Sequence, residues 1–176
     1  MPIMMRPHSR RLAGLALLES LVALAILASA LLGILFVQLR TLADTESALR
    51  RTQALRLIDD LAERVQSNPG GFARLGDYRA DWRTVVAAPA DCELQWCDPS
   101  QLALWDLANW KSGVARTLPL GDAAVFDLPD AAAAQTRRAL GVMVGWHASD
   151  GDTFELAVPG ASCPAGLVCH FGHVQP

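Results

Sequence analysis

The sequence lacks the short motifs that identify the common enzyme classes. It contains no Gly-x-Ser-x-Gly nucleophile elbow, no phosphate-binding glycine loop and no compelling pair of catalytic carboxylates. It also shows no internal repeat, long linker or low-complexity tract. We therefore expect a protein that is not an enzyme and that has no cofactor.

Positive charge is scarce in the second part of the chain. The 176 residues carry a formal net charge of −3, and from Asn68 to the end there are seven basic and twelve acidic residues. Proteins that bind nucleic acid through its phosphates usually present a basic surface. The charge balance therefore disfavours nucleic acid as a partner.

Charge is absent altogether from residues 20–39, and so is proline. A helix of twenty residues is roughly 30 Å long, which is enough to cross the hydrocarbon core of a bilayer. Arg6, Arg10 and Arg11 precede this apolar stretch, and such residues stay on the cytoplasmic side. The sequence therefore predicts a single membrane span, with everything after Leu39 in the opposite compartment.

An acidic residue, Glu19, stands directly before the apolar stretch. A carboxylate near the start of a membrane segment is costly, so we expect it to have a function and a partner. The basic leader, Gly14, and a glutamate five positions after that glycine resemble the class III signal of type IV pilins and type II secretion pseudopilins. The resemblance implies a type IV pilin-like fold.

The resemblance also implies how the chain is processed and assembled. A prepilin peptidase would cut after Gly14 and methylate the new amino terminus on Leu15. Glu19 would then pair with the N-terminal ammonium of a neighbouring subunit, so the partners through the first helix are the major pilin and other minor pilins. The protein would first span the inner membrane once, with its C-terminal domain in the periplasm, and later lie in the pilus at the cell surface.

Two simpler interpretations compete with the pilin signal. The residues Ala28-Ser29-Ala30 satisfy the small-x-small pattern of an ordinary secretory signal peptide. Alternatively, the segment is an uncleaved anchor in which Glu19 is accidental. The position of Glu19 and the continuation of helical patterning beyond Ala30 argue against both.

The helical pattern continues past the membrane segment. Apolar residues recur at helical intervals, with charged residues on the other faces, at Leu42, Leu49, Leu55, Ile58, Leu61 and Val65. The pattern stops at Asn68-Pro69-Gly70-Gly71, which breaks helices. A helix from Leu15 to Ser67 would have 53 residues and a length of roughly 80 Å. Gly33 is its one weak point.

We therefore expect an α+β protein with four segments. Residues 1–14 are the leader peptide, and 15–39 are the half of the long helix that lies in the membrane or the filament core. Residues 40–67 are the amphipathic half, which packs on the globular domain. Residues 68–176 form that domain, which contains a small antiparallel sheet and lies in the periplasm or outside the cell.

Within the globular domain the sequence predicts one further helix and several strands. Asp98-Pro99 is a typical helix start, and the helix is expected from about Ser100 to Ala115. The alanine-rich stretch 130–138 is expected to be a helical turn or a loop. The candidate strands are Ala123–Phe126, Leu140–His147, Thr153–Val158 and Leu167–Val174. We expect the second and third of these to form a hairpin across Ser149-Asp150-Gly151-Asp152.

All four cysteines follow the membrane segment and form two local pairs. In an oxidising compartment the simplest interpretation is a Cys92–Cys97 and a Cys163–Cys169 disulfide, although two other connectivities are open. A zinc site of Cys163, Cys169, His170 and His173 is the alternative. Its spacing matches no zinc pattern, and on a strand the two histidines would lie on opposite faces. We therefore expect no metal site.

Two further groups have a structural and a functional interpretation. The tryptophans are expected in the core rather than on a carbohydrate-binding surface, and they are Trp82, Trp96, Trp105, Trp110 and Trp146. Asp150, Asp152 and Glu155 have the oxygen ligands that calcium prefers, but Asp150-Gly151 is also the pair that a tight turn requires. The turn explains them without a metal.

The middle of the chain resembles minor pilins of the PilV type. In that family a cysteine pair precedes a helix, and a Leu-Pro pair follows it. In this chain the cysteine pair is Cys92 and Cys97, and the Leu-Pro pair is Leu118-Pro119. The helix pattern between them is Leu102-Ala103, Asp106-Leu107 and Trp110. Val142-Met143-Val144-Gly145-Trp146 is similar to its Val-x-Val-x-Trp strand. The resemblance implies a role in priming pilus assembly, and thereby in twitching motility and adhesion. A type II secretion pseudopilin and a membrane-tethered periplasmic enzyme or ligand-binding module are the alternatives.

Overall fold

The fold, described from a computed structural model, is α+β. The structure describes residues 12–128, 139–147 and 157–175. Two α-helices and one 3₁₀ helix precede the strands: α1 is Leu12–Ser67, the 3₁₀ helix is Leu75–Tyr78 and α2 is Pro99–Thr117. The strands are β1 Asp122–Asp127, β2 Leu140–Trp146, β3 Ala157–Val158, β4 Ala161–Ser162 and β5 Val168–Val174. The predicted stretch at 130–138 lies outside the described residues.

The chain divides into two compact units, Met1–Glu46 and Ser47–Pro176. In the first unit, the described residues belong to α1, and the large apolar side chains from Leu17 to Leu42 are exposed. α1 passes through Gly33 without interruption. Among the described residues, α1 contains the one helix segment that by length and composition alone is able to cross a membrane. These observations agree with the predicted apolar half of a long helix.

In the second unit, the last part of α1 contributes a buried stripe to the core. The buried side chains are Ala54, Ile58, Leu61 and Val65. Their spacing of four, three and four residues is that of one helix face. The predicted stripe was correct from Ile58 onward and wrong for Leu49 and Leu55, which are exposed, as is Leu42 in the first unit. The buried face passes through Ala54, and Leu55 lies about 100° from it around the helix.

The end of α1 is fixed by one buried amide. The Nδ2 group of Asn68 donates to the Tyr78 hydroxyl at 3.1 Å and to the Pro99 carbonyl at 2.8 Å. Its Oδ1 atom accepts from the Gly70 amide at 3.0 Å. Asn68 is 4% exposed, so these bonds satisfy a polar group that would otherwise destabilise the fold. One side chain therefore connects the end of α1, the 3₁₀ helix and the start of α2.

The helix α2 begins as the sequence predicts. Asp98 is its N-cap, Pro99 occupies the first turn, and the Asp98 side chain accepts from the amides of Ser100 and Gln101. The Gln101 side chain in turn accepts from the Asp98 amide, which completes a capping box. The buried residues of α2 are Ala103, Asp106, Leu107, Trp110 and Val114. This face packs in the same core as the stripe of α1.

The main sheet has three antiparallel strands in the order β1-β2-β5. Asp127 pairs with Leu140 across β1 and β2, and Leu140 pairs with Val174 across β2 and β5. β2 therefore has a partner on both edges. The predicted hairpin of Leu140–His147 with Thr153–Val158 is wrong, since Ala157–Val158 pairs instead with Ala161–Ser162; residues 153–156 lie outside the described part. The strand predicted at Leu167–Val174 is confirmed as β5, and its pairing with β2 is a feature that the sequence did not predict.

Two glycines of the sheet permit close packing on its two faces. A Cβ atom on Gly172 would lie 2.9 Å from the Ile58 side chain, so β5 approaches α1 through this glycine. On the other face, a Cβ atom on Gly141 would lie 2.5 Å from the ring of Phe126. Phe126 stacks on Phe171 with ring centroids 6.2 Å apart. Side chains therefore cover both faces of the small sheet.

Candidate functional site

The start of α1 contains the predicted processing signal. Gly14 and Leu15 both lie within the helix, whereas residues 1–11 are outside the described part. Glu19 follows on the same helix with an exposed side chain, and its neighbours Leu18 and Leu21 are exposed as well. The acidic group therefore belongs to an apolar surface.

The next basic residue along α1 after Glu19 is Arg40. Twenty-one residues of helix separate the two, which is roughly 30 Å along the axis. A side chain does not span that distance, so no cation of this helix downstream of Glu19 reaches its carboxylate. A partner cation for Glu19 has to come from elsewhere.

The few hydroxyl groups in the apolar stretch are satisfied within the helix. Ser20 Oγ donates to the Ala16 carbonyl at 2.8 Å, and Ser29 Oγ donates to the Ala25 carbonyl at 2.9 Å. Such bonds to the preceding turn let a serine sit in lipid without an external partner. Among the side chains described between Ala16 and Leu39, Glu19 is therefore the one group with a full charge that lipid disfavours.

Both local cysteine pairs are linked in the structure. Cys92 is bonded to Cys97, and Cys163 is bonded to Cys169. The thiols of Cys163 and Cys169 are therefore not available to the alternative zinc site. In the described ranges, no group of three His, Cys, Asp or Glu side chains is arranged to hold a metal ion. The acidic residues considered for calcium, Asp150, Asp152 and Glu155, lie outside the described residues.

His170 lies on β5, where burial lowers the pKa of its imidazole, and the charge of Arg51 on α1 lowers it further. Both influences favour the neutral ring. The neighbouring candidate ligand His173 pairs with Gly141 of β2 in the sheet register. Residues three apart on a strand lie on opposite faces, so His170 and His173 do not share one face of β5.

The tryptophans divide into core and surface residues. Trp110 and Trp146 are buried, which agrees with the core interpretation, and Trp82 and Trp105 are half-buried. Trp96 contradicts the core interpretation, because its side chain is 84% exposed. The reason is its position inside the six-residue loop that the Cys92–Cys97 disulfide closes, where it does not reach the core.

A charge cluster that the sequence analysis did not identify joins α1 to α2. Arg64 Nε donates to Asp60 Oδ2 at 3.1 Å, and Arg64 Nη1 donates to Asp106 Oδ1 at 3.2 Å. Burial raises the pKa of the Asp106 carboxyl, and the nearby Arg64 opposes that rise. Asp60 and Arg64 are four residues apart, but nothing in the sequence links them to Asp106. Through the pair of Arg64 and Asp106, the cluster connects α1 to α2.

Comparison with known proteins gives one family match. Residues 36–108 are similar to the family described as Tt1218-like, type IV pilin Tt1218. No curated protein and no solved structure matches the chain significantly. The matched residues contain the whole of residues 40–67 of α1, the Cys92–Cys97 loop and the first half of α2. The similarity supports a pilin role, and the long apolar helix followed by a small antiparallel sheet is consistent with a type IV pilin fold.

Proposed function

We propose that this chain is a minor type IV pilin and that the first half of α1 is its assembly element. The observation that carries the proposal is Glu19, a carboxylate on the exposed apolar part of a long helix. In a plain membrane anchor, a charged carboxylate at this position would only disfavour insertion into lipid. A subunit that leaves the membrane and packs its helix against neighbouring pilin subunits can use the carboxylate to set the register.

The proposed processing step creates the partner cation. Cleavage after Gly14 by a prepilin peptidase leaves an ammonium on Leu15, which is then methylated. Within one chain, Leu15 and Glu19 lie one helical turn apart. In the filament, the ammonium of one subunit pairs with Glu19 of its neighbour. The pair removes an uncompensated charge from an apolar core.

The remaining features of the proposal follow from that role. Before assembly the protein spans the inner membrane once, with its C-terminal domain in the periplasm. It then enters the pilus beside the major pilin and other minor pilins, and as a PilV-type subunit it helps to prime assembly for twitching motility and adhesion. Its function is structural and non-enzymatic. The disulfides and the family similarity support an exported pilin domain.

The mature amino terminus tests the proposal most directly. We expect intact-mass measurement of the membrane-extracted protein to show a chain that begins at Leu15 with a methylated amine. A chain that begins at Leu31 would support an ordinary signal peptide, and a chain that retains Met1 would support a plain anchor.

A matched pair of glycine variants sharpens the test. Gly14→Val is expected to block cleavage, because the peptidase signal needs the glycine. Gly33→Ala is the control, since a Cβ atom at Gly33 meets no atom within 4 Å. This control should be processed normally. If Gly14→Val is cleaved as well as the control, the assigned signal is wrong.

A further inference from the structure

The Cys92–Cys97 loop displays two large apolar side chains to solvent. Leu94 is 85% exposed and Trp96 is 84% exposed. The loop does not contribute these side chains to the hydrophobic core. Exposed tryptophan and leucine side chains gathered on one short segment are typical of a contact surface, and tryptophan is enriched among the residues that dominate binding energies.

The loop is held in one conformation. The disulfide closes it, Asp91 Oδ1 accepts from the Glu93 amide at 3.0 Å, and the Asp91 carbonyl accepts from the Gln95 amide at 3.2 Å. The capping box of α2 begins one residue after Cys97. A rigid loop loses little conformational entropy when it binds, so its apolar side chains are presented at low cost.

The charges on the loop indicate the kind of surface it contacts. Glu93 within the loop and Asp91 just before it are exposed and both precede Leu94, so this segment is apolar and acidic at once. An acidic loop is repelled by an anionic lipid surface. It complements a surface that combines an apolar side chain with a basic one.

The same chain carries such a surface on α1. Leu49 is 56% exposed, and Arg56 is exposed seven residues later, on nearly the same side of the helix. This side is opposite the buried stripe that passes through Ala54. Beyond Arg56 the helix becomes acidic at Asp59 and Glu63, which would repel the loop. The complementary region is therefore confined to residues 49–56.

We propose that the Cys92–Cys97 loop of one copy docks on residues 49–56 of a second copy. Trp96 and Leu94 cover Leu49, and Glu93 pairs with Arg56. The two surfaces differ, so the contact is head-to-tail, and such contacts generate rings or open helical assemblies rather than two-fold symmetric dimers. In a filament the open form is the one expected. The inference rests on the proposed pilin function and adds that copies of this chain lie next to one another in the filament.

Photocrosslinking of the full-length protein in its filament tests the contact. Two differently tagged copies are co-expressed, one with p-benzoylphenylalanine in place of Trp96. We expect an adduct that carries both tags and maps to residues 49–56. The same crosslinker in place of Val85, which is 93% exposed and lies outside the loop, is the control and should give no adduct at those residues.

A charge exchange gives an independent readout. Glu93→Arg places like charges together and should lower the yield of the two-tag adduct about two- to fivefold, the range expected for one exposed charge pair. Arg56→Glu in the second copy should restore the yield. Adducts with other proteins only, with another part of the second copy, or none at all would overturn the inference. Normal Leu15 processing and filament incorporation in those cases would leave the proposed function standing.

Discussion

The indole Nε1 of Trp110 donates a hydrogen bond of 2.7 Å to the backbone carbonyl of Leu57. This bond connects the middle of α2 to the second part of α1 inside the globular unit. Because Trp110 is only 1% exposed, its ring also fills the space between the two helices. The bond gives a buried polar group a partner and fixes the orientation of the largest of the fully buried side chains.

Replacement of Trp110 should therefore destabilise the globular unit strongly. We expect Trp110→Ala to lower the free energy of unfolding by about 3–5 kcal/mol, the usual cost of a large aromatic side chain in a core. Trp96→Ala is the matched control and should change stability by less than about 0.5 kcal/mol, because the side chain is exposed. Chemical denaturation of the detergent-solubilised protein measures both. Equal losses for the two variants would contradict the assigned core.

Tyr78 is the one tyrosine of the chain, so its ionisation can be followed without interference from another phenol. Burial raises its pKa to about 12, whereas the hydrogen bond from Asn68 lowers it by a smaller amount. Absorbance at 295 nm should therefore titrate near 12 in the folded protein and near the ordinary value of about 10 in denaturant.

The same shift predicts how alkali affects stability. The pKa of the Tyr78 phenol is higher in the folded state than in the unfolded state. Its contribution to stability is therefore complete below pH 10 and is lost as the pH rises towards 12. Unfolding free energies should fall across that interval in the wild type. The Tyr78→Phe variant should show a smaller fall. An equal fall in both proteins would show that another group is responsible.

The disulfides should be present and local in the exported protein. Cleavage after Glu93 separates Cys92 from Cys97, and cleavage after Leu167 separates Cys163 from Cys169. The two peptides of each pair should therefore stay joined until a reductant is added. Peptides joined in another combination, or free thiols with a stoichiometric metal, would contradict this prediction.

Glu19→Ala should separate membrane insertion from assembly. The variant is more hydrophobic, so insertion and leader cleavage should persist. In the filament the neighbour's ammonium would lose its partner, at a cost on the order of 3–5 kcal/mol for a buried pair. Incorporation into sheared pili should therefore fall.

The control for this variant is Ser20→Ala, which removes only the hydroxyl that bonds to the Ala16 carbonyl. It should assemble normally. Quantitative immunoblots of membranes and sheared filaments measure each step. Unchanged incorporation of Glu19→Ala at normal expression would refute the assembly role.

The sequence predicts the helices better than the pairing of the strands. The long apolar run, the breaker after Ser67 and the Asp98-Pro99 cap are local signals, and both helices occur where those signals place them. The pairing of β2 with β1 and β5 depends on contacts between distant residues, which local turn chemistry does not reveal. The short Asp150-Gly151 turn signal therefore suggested the wrong partner strand.

The candidate site was predictable only in part, for related reasons. Glu19 is evident because a charge interrupts an apolar pattern. Leucines occur on several sides of α1, so composition does not show that Ala54 rather than Leu55 faces the core. The exposure of Trp96 follows from its place in a closed loop. A single sequence does not distinguish an exposed tryptophan in such a loop from a tryptophan in the core.

The three bonds of Asn68 also determine where the chain tolerates a change of length. They close the segment between Gly70 and Pro99 at its base, and the bridge of Ala80 to Val125 secures its first part. Between that bridge and the Cys92–Cys97 disulfide, Ala87 and Ala88 are exposed. A short epitope inserted there should lengthen the segment without loosening its ends. This is therefore the place in the globular unit to attach a label.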